Sequence, residues 1–244
     1  MPNPPTDSEF IEPVGDRCLL IRLGTEVDPA ASARVHALVR RLREQPIAGV
    51  RDVVPAFTTV ALHYRPECFG TSPFAALREQ LLERLSRPLD AAADSGRVVE
   101  VPVCYGTTDK DYGPDLAEVA QRCGLSPAEV VERHLASAHR VYMLGFAPGF
   151  PFIGGLDPTL SMPRRAQPRT RIPPGSVAIA REQTCIYPLE TPGGWNLIGR
   201  TPLRLFDPAA SAPCRLAPGD TIRFTAIDQA DYLALLAEQQ GPRP

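Results

Sequence analysis

Residues 177–187 read Val-Ala-Ile-Ala-Arg-Glu-Gln-Thr-Cys-Ile-Tyr, two short apolar runs (177–180 and 184–187) parted by polar residues. Similar runs fall at 141–146, 195–199, 203–206 and 221–226. Pro and Gly punctuate the chain between them, and 13 of its 28 prolines lie from Pro148 to Pro218. Proline cannot donate to a ladder, so it is confined to turns, bulges and edges. Many short strands separated by such turns predict a closed or nearly closed β-barrel. A strand from Val98 to Tyr105 opens this part of the chain, and two short helices follow it. The first shows Leu116, Val119, Ala120 and Cys123 before a terminating Gly124. The second begins Ser126-Pro127-Ala128-Glu129, a capping box with proline in its first turn. Residues 228–240 predict a closing helix.

Upstream the grammar differs. Residues 18–23 predict a strand, after which Asp28 caps a helix with Pro29 at its first position. Val35, Leu38, Val39 and Leu42 follow at i, i+3, i+4 and i+7, the amphipathic spacing. Residues 50–56 and 58–64 are rich in β-branched side chains and predict two strands. Ser72-Pro73 opens a second helix with a face of Phe74, Leu77, Leu81 and Leu85. The order β-α-β-β-α predicts a small sheet with both helices on one face. Residues 88–97 are small and polar and carry no core pattern. The expected class is therefore α+β. A disordered leader at 1–13 precedes a small α/β sandwich domain at 14–92, and a barrel domain follows at 98–240.

Composition bounds the function. With 43% hydrophobic and 22% charged residues and a net charge of −2, the 244-residue chain has a soluble globular profile. Of 26 basic residues 25 are Arg, and the one lysine, Lys110, stands in Asp-Lys-Asp. That excludes a P-loop, whose lysine follows a glycine-rich turn. It also argues against a Schiff-base lysine, because flanking carboxylates hold its charge. An amidase built on lysine and two serines, or a biotin carrier, has no second candidate. The six cysteines, Cys18, Cys68, Cys104, Cys123, Cys185 and Cys214, are never closer than 19 residues, so no ligand-like spacing exists. The acidic, proline-rich start carries no signal-peptide pattern, and free thiols in a cytoplasmic protein are expected. No apolar run reaches the roughly 18 residues of a membrane span. Scattered arginines give no footprint for nucleic acid.

Three stretches could carry chemistry. Residues 145–155, Gly-Phe-Ala-Pro-Gly-Phe-Pro-Phe-Ile-Gly-Gly, make either a tight barrel corner or a rigid apolar wall that a ligand can approach closely. Residues 163–176 hold Arg164, Arg165, Arg169 and Arg171 with no Asp or Glu between Asp157 and Glu182. Such a cluster suits carboxylate or phosphate, and a solvated loop explains it equally well. Residues 183–201 hold the only Trp, Trp195, beside Gly193-Gly194, with Gln183, Tyr187, Asn196, Arg200 and Thr201 as polar groups. Nucleophilic catalysis is hard to build. His36 and His63 fall in the first domain, His134 reads as a packing residue, and His139 ends a helix where its dipole favours a cation. No histidine pair has metal-site spacing and no Gly-x-Ser-x-Gly elbow occurs. Catalytic residues stay unassigned, and the chain reads as a binding or shared-site component.

Taken together, residues 141–156, Pro163-Arg164-Arg165, 173–177, Gln183-Thr184, Ile186-Tyr187-Pro188 and 192–202 closely resemble one family. It comprises the B subunits of the bacterial ATP-dependent 5-oxoprolinases, also called allophanate hydrolase subunit 1 or the sporulation-kinase inhibitor family. The resemblance runs over about residues 14–240 and implies a cyclophilin-like barrel after an N-terminal α+β domain. It implies hydrolysis of 5-oxo-L-proline to L-glutamate with partner subunits A and C. ATP with Mg would act at the level of the complex, and the substrate would be a small amide. The alternative role within the family is regulation of a sensor histidine kinase by binding and inhibition. The motif matches imply a substrate site at Phe146, Ala147, Pro148, Gly149, Arg164, Gln183, Tyr187, Gly194, Trp195 and Asn196. In one place the chain departs from the family pattern, which has glycine where this sequence has Arg181, Glu182 and Cys185. If those positions need positive φ, each side chain costs about 1 kcal/mol or more.

Overall fold

Asp28 sits in extended backbone, and its Oδ1 accepts from the Ala31 amide at 2.7 Å. With Pro29 next, this starts helix α1, Pro29–Glu44; such a cap is worth about 1 kcal/mol. The structure, a computed structural model, describes residues 11–89, 96–107 and 109–240. It divides into two compact units, Met1–Ser95 and Gly96–Pro244.

In the first unit, strands β1 (Ile11–Pro13), β2 (Cys18–Arg22), β3 (Val50–Pro55) and β4 (Thr59–Tyr64) form an antiparallel sheet of order β1-β2-β4-β3. Alternate strand residues Leu19, Ile21, Val60 and Leu62 pack on Val35, Leu38 and Leu42 of α1. Leu77 and Leu81 of helix α2 (Pro73–Leu85) join the same core. The end of the expected leader is a correction. Ile11 is buried and pairs opposite Ile21, so residues 11–13 add an edge strand too short to announce itself in sequence. The rest of that leader, residues 1–10, lies outside the described residues, as do 90–95 within the expected boundary.

The second unit begins with β5 (Val98–Tyr105), followed by α3 (Leu116–Cys123) and α4 (Pro127–Ala136). The capping box of Ser126 and Glu129 forms, with the Ser126 amide 2.7 Å from Glu129 Oε2. Eight strands follow: β6 (His139–Leu144), β7 (Pro151–Gly154), β8 (Arg169–Ile172), β9 (Ser176–Ala180), β10 (Gln183–Ile186), β11 (Thr191–Gly193), β12 (Asn196–Arg200) and β13 (Thr221–Ile227). Helix α5 (Gln229–Gln240) ends the unit.

Seven strands close into a barrel of order β10-β7-β6-β13-β5-β12-β9, with β13 and β5 parallel, while β8 and β11 make a separate ribbon. One apolar cluster receives a side chain from every barrel strand: Val101, Val141, Ile153, Val177, Ile186, Ile198 and Phe224. That cluster is the lumen, and Leu116, Val119 and Val130 of α3 and α4 join it.

Two strand expectations change. Residues 203–206 form no strand. Pro202 lacks a donor, the Arg204 amide donates to Gln239 Oε1 at 2.8 Å, and only Phe206 makes a bridge, to Cys214. Conversely, the Gly/Pro-rich stretch contains β7, whose proline stands first in the strand, where no ladder donor is lost. No helix among the described residues is long and apolar enough to cross a membrane.

Candidate functional site

Strand alternation divides the Gln183–Tyr187 motif between two surfaces. Ile186 and Thr184 face the lumen, while Cys185 and Tyr187 face outward with Ala178 and Ala180 of β9. These alanines leave room for an aromatic cluster with Phe150 at its hub. The Phe150 ring centroid lies 5.1 Å from Phe152 and from Tyr187, 5.3 Å from Phe146 and 6.5 Å from Trp195, every pair edge-on. Ile172 of the β8–β11 ribbon and Leu197 complete it. Gly193 is required here, because a Cβ would lie 2.3 Å from Tyr187 Oη and 2.8 Å from Ile172 Cδ1. Burial pushes the Tyr187 phenol well above its usual range, opposed by the Trp195 backbone and by Arg164 and Arg169. Burial also pushes the Cys185 thiol well up, against the pull of Arg164, so this sulfur is a packing group and not a nucleophile.

The arginines of 163–171 do not act as one patch. Asp115, at the start of α3, accepts from Arg165 at 2.7 Å and from both Nη atoms of Arg169 at 2.8 Å. It also accepts from the Leu197 amide at 2.8 Å. Arg171 pairs with Glu190 through bonds of 2.9 and 3.1 Å. Only Arg164 has no carboxylate partner among the described residues. Its guanidinium carbon stands 5.7 Å from the Trp195 ring centroid. Asp115 had no signal in the sequence, because Arg165 and Arg169 lie 50 and 54 residues further on.

The loop before β7 holds two left-handed residues, Phe146 (φ +69°) and Gly149 (φ +75°). It is cinched by the Gly145 amide on Phe150 O at 3.1 Å and the Phe150 amide on Ala147 O at 3.0 Å. Phe146 is 67% exposed despite its size. The structure thus gathers Phe146, Ala147, Tyr187, Trp195 and Arg164 around Phe150, a residue the motif matching left out. Pro148 is an exposed corner and Gly149 is buried in the same loop. Gly194 and Asn196 serve as ties. Gly194 O accepts from the Arg165 amide at 2.7 Å, and Asn196 Nδ2 donates to Pro163 O at 3.0 Å and Ile179 O at 3.1 Å. Gln183 sits at the first rung of the β9–β10 hairpin, opposite Ala180. Of the three departures from the family glycines, only Arg181 takes positive φ, at +52°.

The lumen holds the titratable groups that could have made a base, and its hydrogen bonds engage them. Thr184 Oγ1 donates to Ala178 O at 3.0 Å, so it must accept from His134 Nε2 at 3.1 Å. His134 Nδ1 then accepts from the Tyr105 hydroxyl at 2.8 Å. His139 Nε2 donates to His134 O at 2.7 Å. Burial lowers the pKa of both histidines, that of His139 to about 4. They stay neutral and serve packing against Phe224, 4.6 and 4.8 Å away. No group of three or more His, Cys, Asp or Glu among the described residues could hold a metal ion. The outer cluster has a buried aromatic interior, with the Phe146 ring and the Arg164 guanidinium exposed at its edge.

The family model for the carboxyltransferase domain, subdomain C and D, matches residues 10–216. The 5-oxoprolinase B subunit of Bacillus subtilis (strain 168) is 43% identical over 236 residues, covering 93% of this chain and 97% of that relative. The chain belongs to the family of 5-oxoprolinase B subunits. A crystal structure of the protein TTHA0988 is 38% identical with a TM-score of 0.74, and the match covers 93% of this chain and 41% of that longer one. The urea amidolyase of Kluyveromyces lactis, 20% identical with a TM-score of 0.69, covers 93% of this chain and 15% of its own, and shares the fold. The B-subunit family is thus built on this sheet-and-helix unit and seven-stranded barrel.

Proposed function

We propose that this chain acts as the B subunit of an ATP-dependent 5-oxoprolinase and helps hydrolyse 5-oxo-L-proline to L-glutamate with partner subunits A and C. The observation that carries this reading is an outer aromatic cluster topped by one guanidinium without a carboxylate partner, in a unit whose His134, His139 and Cys185 are buried in packing. A small lactam with one carboxylate suits its exposed edge: the Phe146 ring for the apolar part and a planar fork for the anion. Phe146, Ala147, Pro148, Gly149 and Tyr187 form or shape the wall. Arg164 meets the ligand with the buried Trp195 behind it, and Gln183, Gly194 and Asn196 hold the rim.

ATP with Mg is placed at the level of the complex, and this chain's one lysine, Lys110, does not stand in a nucleotide-binding motif. The match to only part of the longer TTHA0988 chain agrees with a surface that works beside a further domain. Six unpaired cysteines suit a cytoplasmic setting. The test is reconstitution. Glutamate release is expected when this chain, subunits A and C, ATP and 5-oxoproline are combined, and not when any one is withheld. A complete complex that releases no glutamate with ATP overturns the reading.

A further inference from the structure

The loop that carries four arginines is sorted by charge. Asp115, its side chain 5% exposed, takes Arg165 and the whole fork of Arg169, and Glu118 stands 3.4 Å from Arg165 Nη1. Arg122 also pairs with Glu118, at 2.9 Å, so Arg165 and Arg169 each have a carboxylate partner in a shared network. Glu190 accounts for Arg171. Arg164 is the exposed remainder, and the backbone is tied on both sides of it. Pro163 O accepts from Asn196 Nδ2, and the Arg165 amide donates to Gly194 O. A fork held in this way over the face of the buried Trp195 is set to receive one planar anion, with the indole backing the guanidinium.

We propose that Arg164 receives the single carboxylate of the ring substrate, and that Asp115 is a positioning residue that limits the site to one negative charge by holding the forks of Arg165 and Arg169 away from the ligand. The proposal rests on the function given above and goes beyond it in assigning the charge selectivity of the site. With Asp115 in place a second carboxylate on the ligand finds no free cation, and a neutral lactam leaves Arg164 without a partner.

The test compares 5-oxoproline with its neutral carboxamide in the reconstituted complex. R164Q is expected to raise KM for 5-oxoproline about tenfold or more with kcat little changed, since a charge-assisted pair is lost in binding. The preference for acid over carboxamide, read from the KM of one and the inhibition constant of the other, falls by the same factor. R171Q, in the same loop but paired with Glu190, leaves that preference alone. D115N leaves Arg169 without a carboxylate, while Arg165 keeps Glu118, and shifts preference toward a ring dicarboxylate, which mere loosening of the fold would not do. An unchanged acid-over-carboxamide preference in R164Q overturns the assignment. Should the complex release no glutamate, the functional reading fails, and the anion site is judged by emission from Trp195, the chain's only tryptophan. A response to 5-oxoproline that the carboxamide lacks and R164Q abolishes supports the site. Equal responses, or none to either ligand, overturn it.

Discussion

The inner and outer walls of the barrel are made by the same strands and solve opposite problems. Inside, Tyr105, His134 and Thr184 pass one chain of hydrogen bonds to Ala178 O, and the apolar residues fill the rest. Outside, Phe150, Tyr187 and Trp195 pack edge to edge and leave Arg164 facing solvent. Residues 184 and 185 are neighbours in sequence, yet one supports the lumen and the other the outer aromatic cluster. The inner wall keeps its polar groups buried, whereas the outer wall leaves the Phe146 ring and the Arg164 guanidinium exposed at its edge.

Removing the hub of the outer wall should have the largest effect. F150A deletes a buried ring that touches four others and is expected to cost about 4 kcal/mol in urea unfolding. If glutamate release by the folded variant in the complex stays at the parent level, the outer wall is not the binding face.

Acid should strike the inner wall. His139 has its pKa depressed to about 4 from 6.5, so the unfolded chain takes up the proton first. Stability is then full above about pH 6.5, falls as the pH drops, and levels below about pH 4, for a loss of about 3 kcal/mol. His134 adds in the same direction. Unfolding curves across that range check it, and H139Q should flatten the profile; an unaltered slope in H139Q would remove His139 from the account.

The two smallest effects carry opposite signs, although both restore a family glycine. C185G empties a packed position in a strand and should cost about 1–2 kcal/mol. R181G relieves a left-handed residue and should add about 0.5–1 kcal/mol. Equal signs in thermal melts would show that the two walls do not constrain these positions differently.

What could be read in the sequence was local. Asp28-Pro29 and Ser126 with Glu129 announced their helices because a cap and its amide are three residues apart. The Pro- and Gly-rich turns announced a barrel, since each turn is a local event. The run 203–206 misled because apolar content says nothing of which donor the Arg204 amide finds. Charge was least legible. Four arginines without a nearby carboxylate looked like one patch, and only the fold brings Asp115 and Glu190 to three of them. The site therefore depends on a subtraction that no window of sequence contains.

The parallel pairing of β5 with β13 has a bearing on how the molecule is made. Val98 meets Thr221 and Cys104 meets Ile227, so the first strand of the barrel waits for the barrel's last strand. Because β13 also borders β6, six strands without it would expose two unpaired edges. Closing such a long loop is slow relative to local turns. The ribosome thus releases an open sheet before it can release a barrel, and the apolar wall must be shielded from other nascent chains until Thr221 arrives.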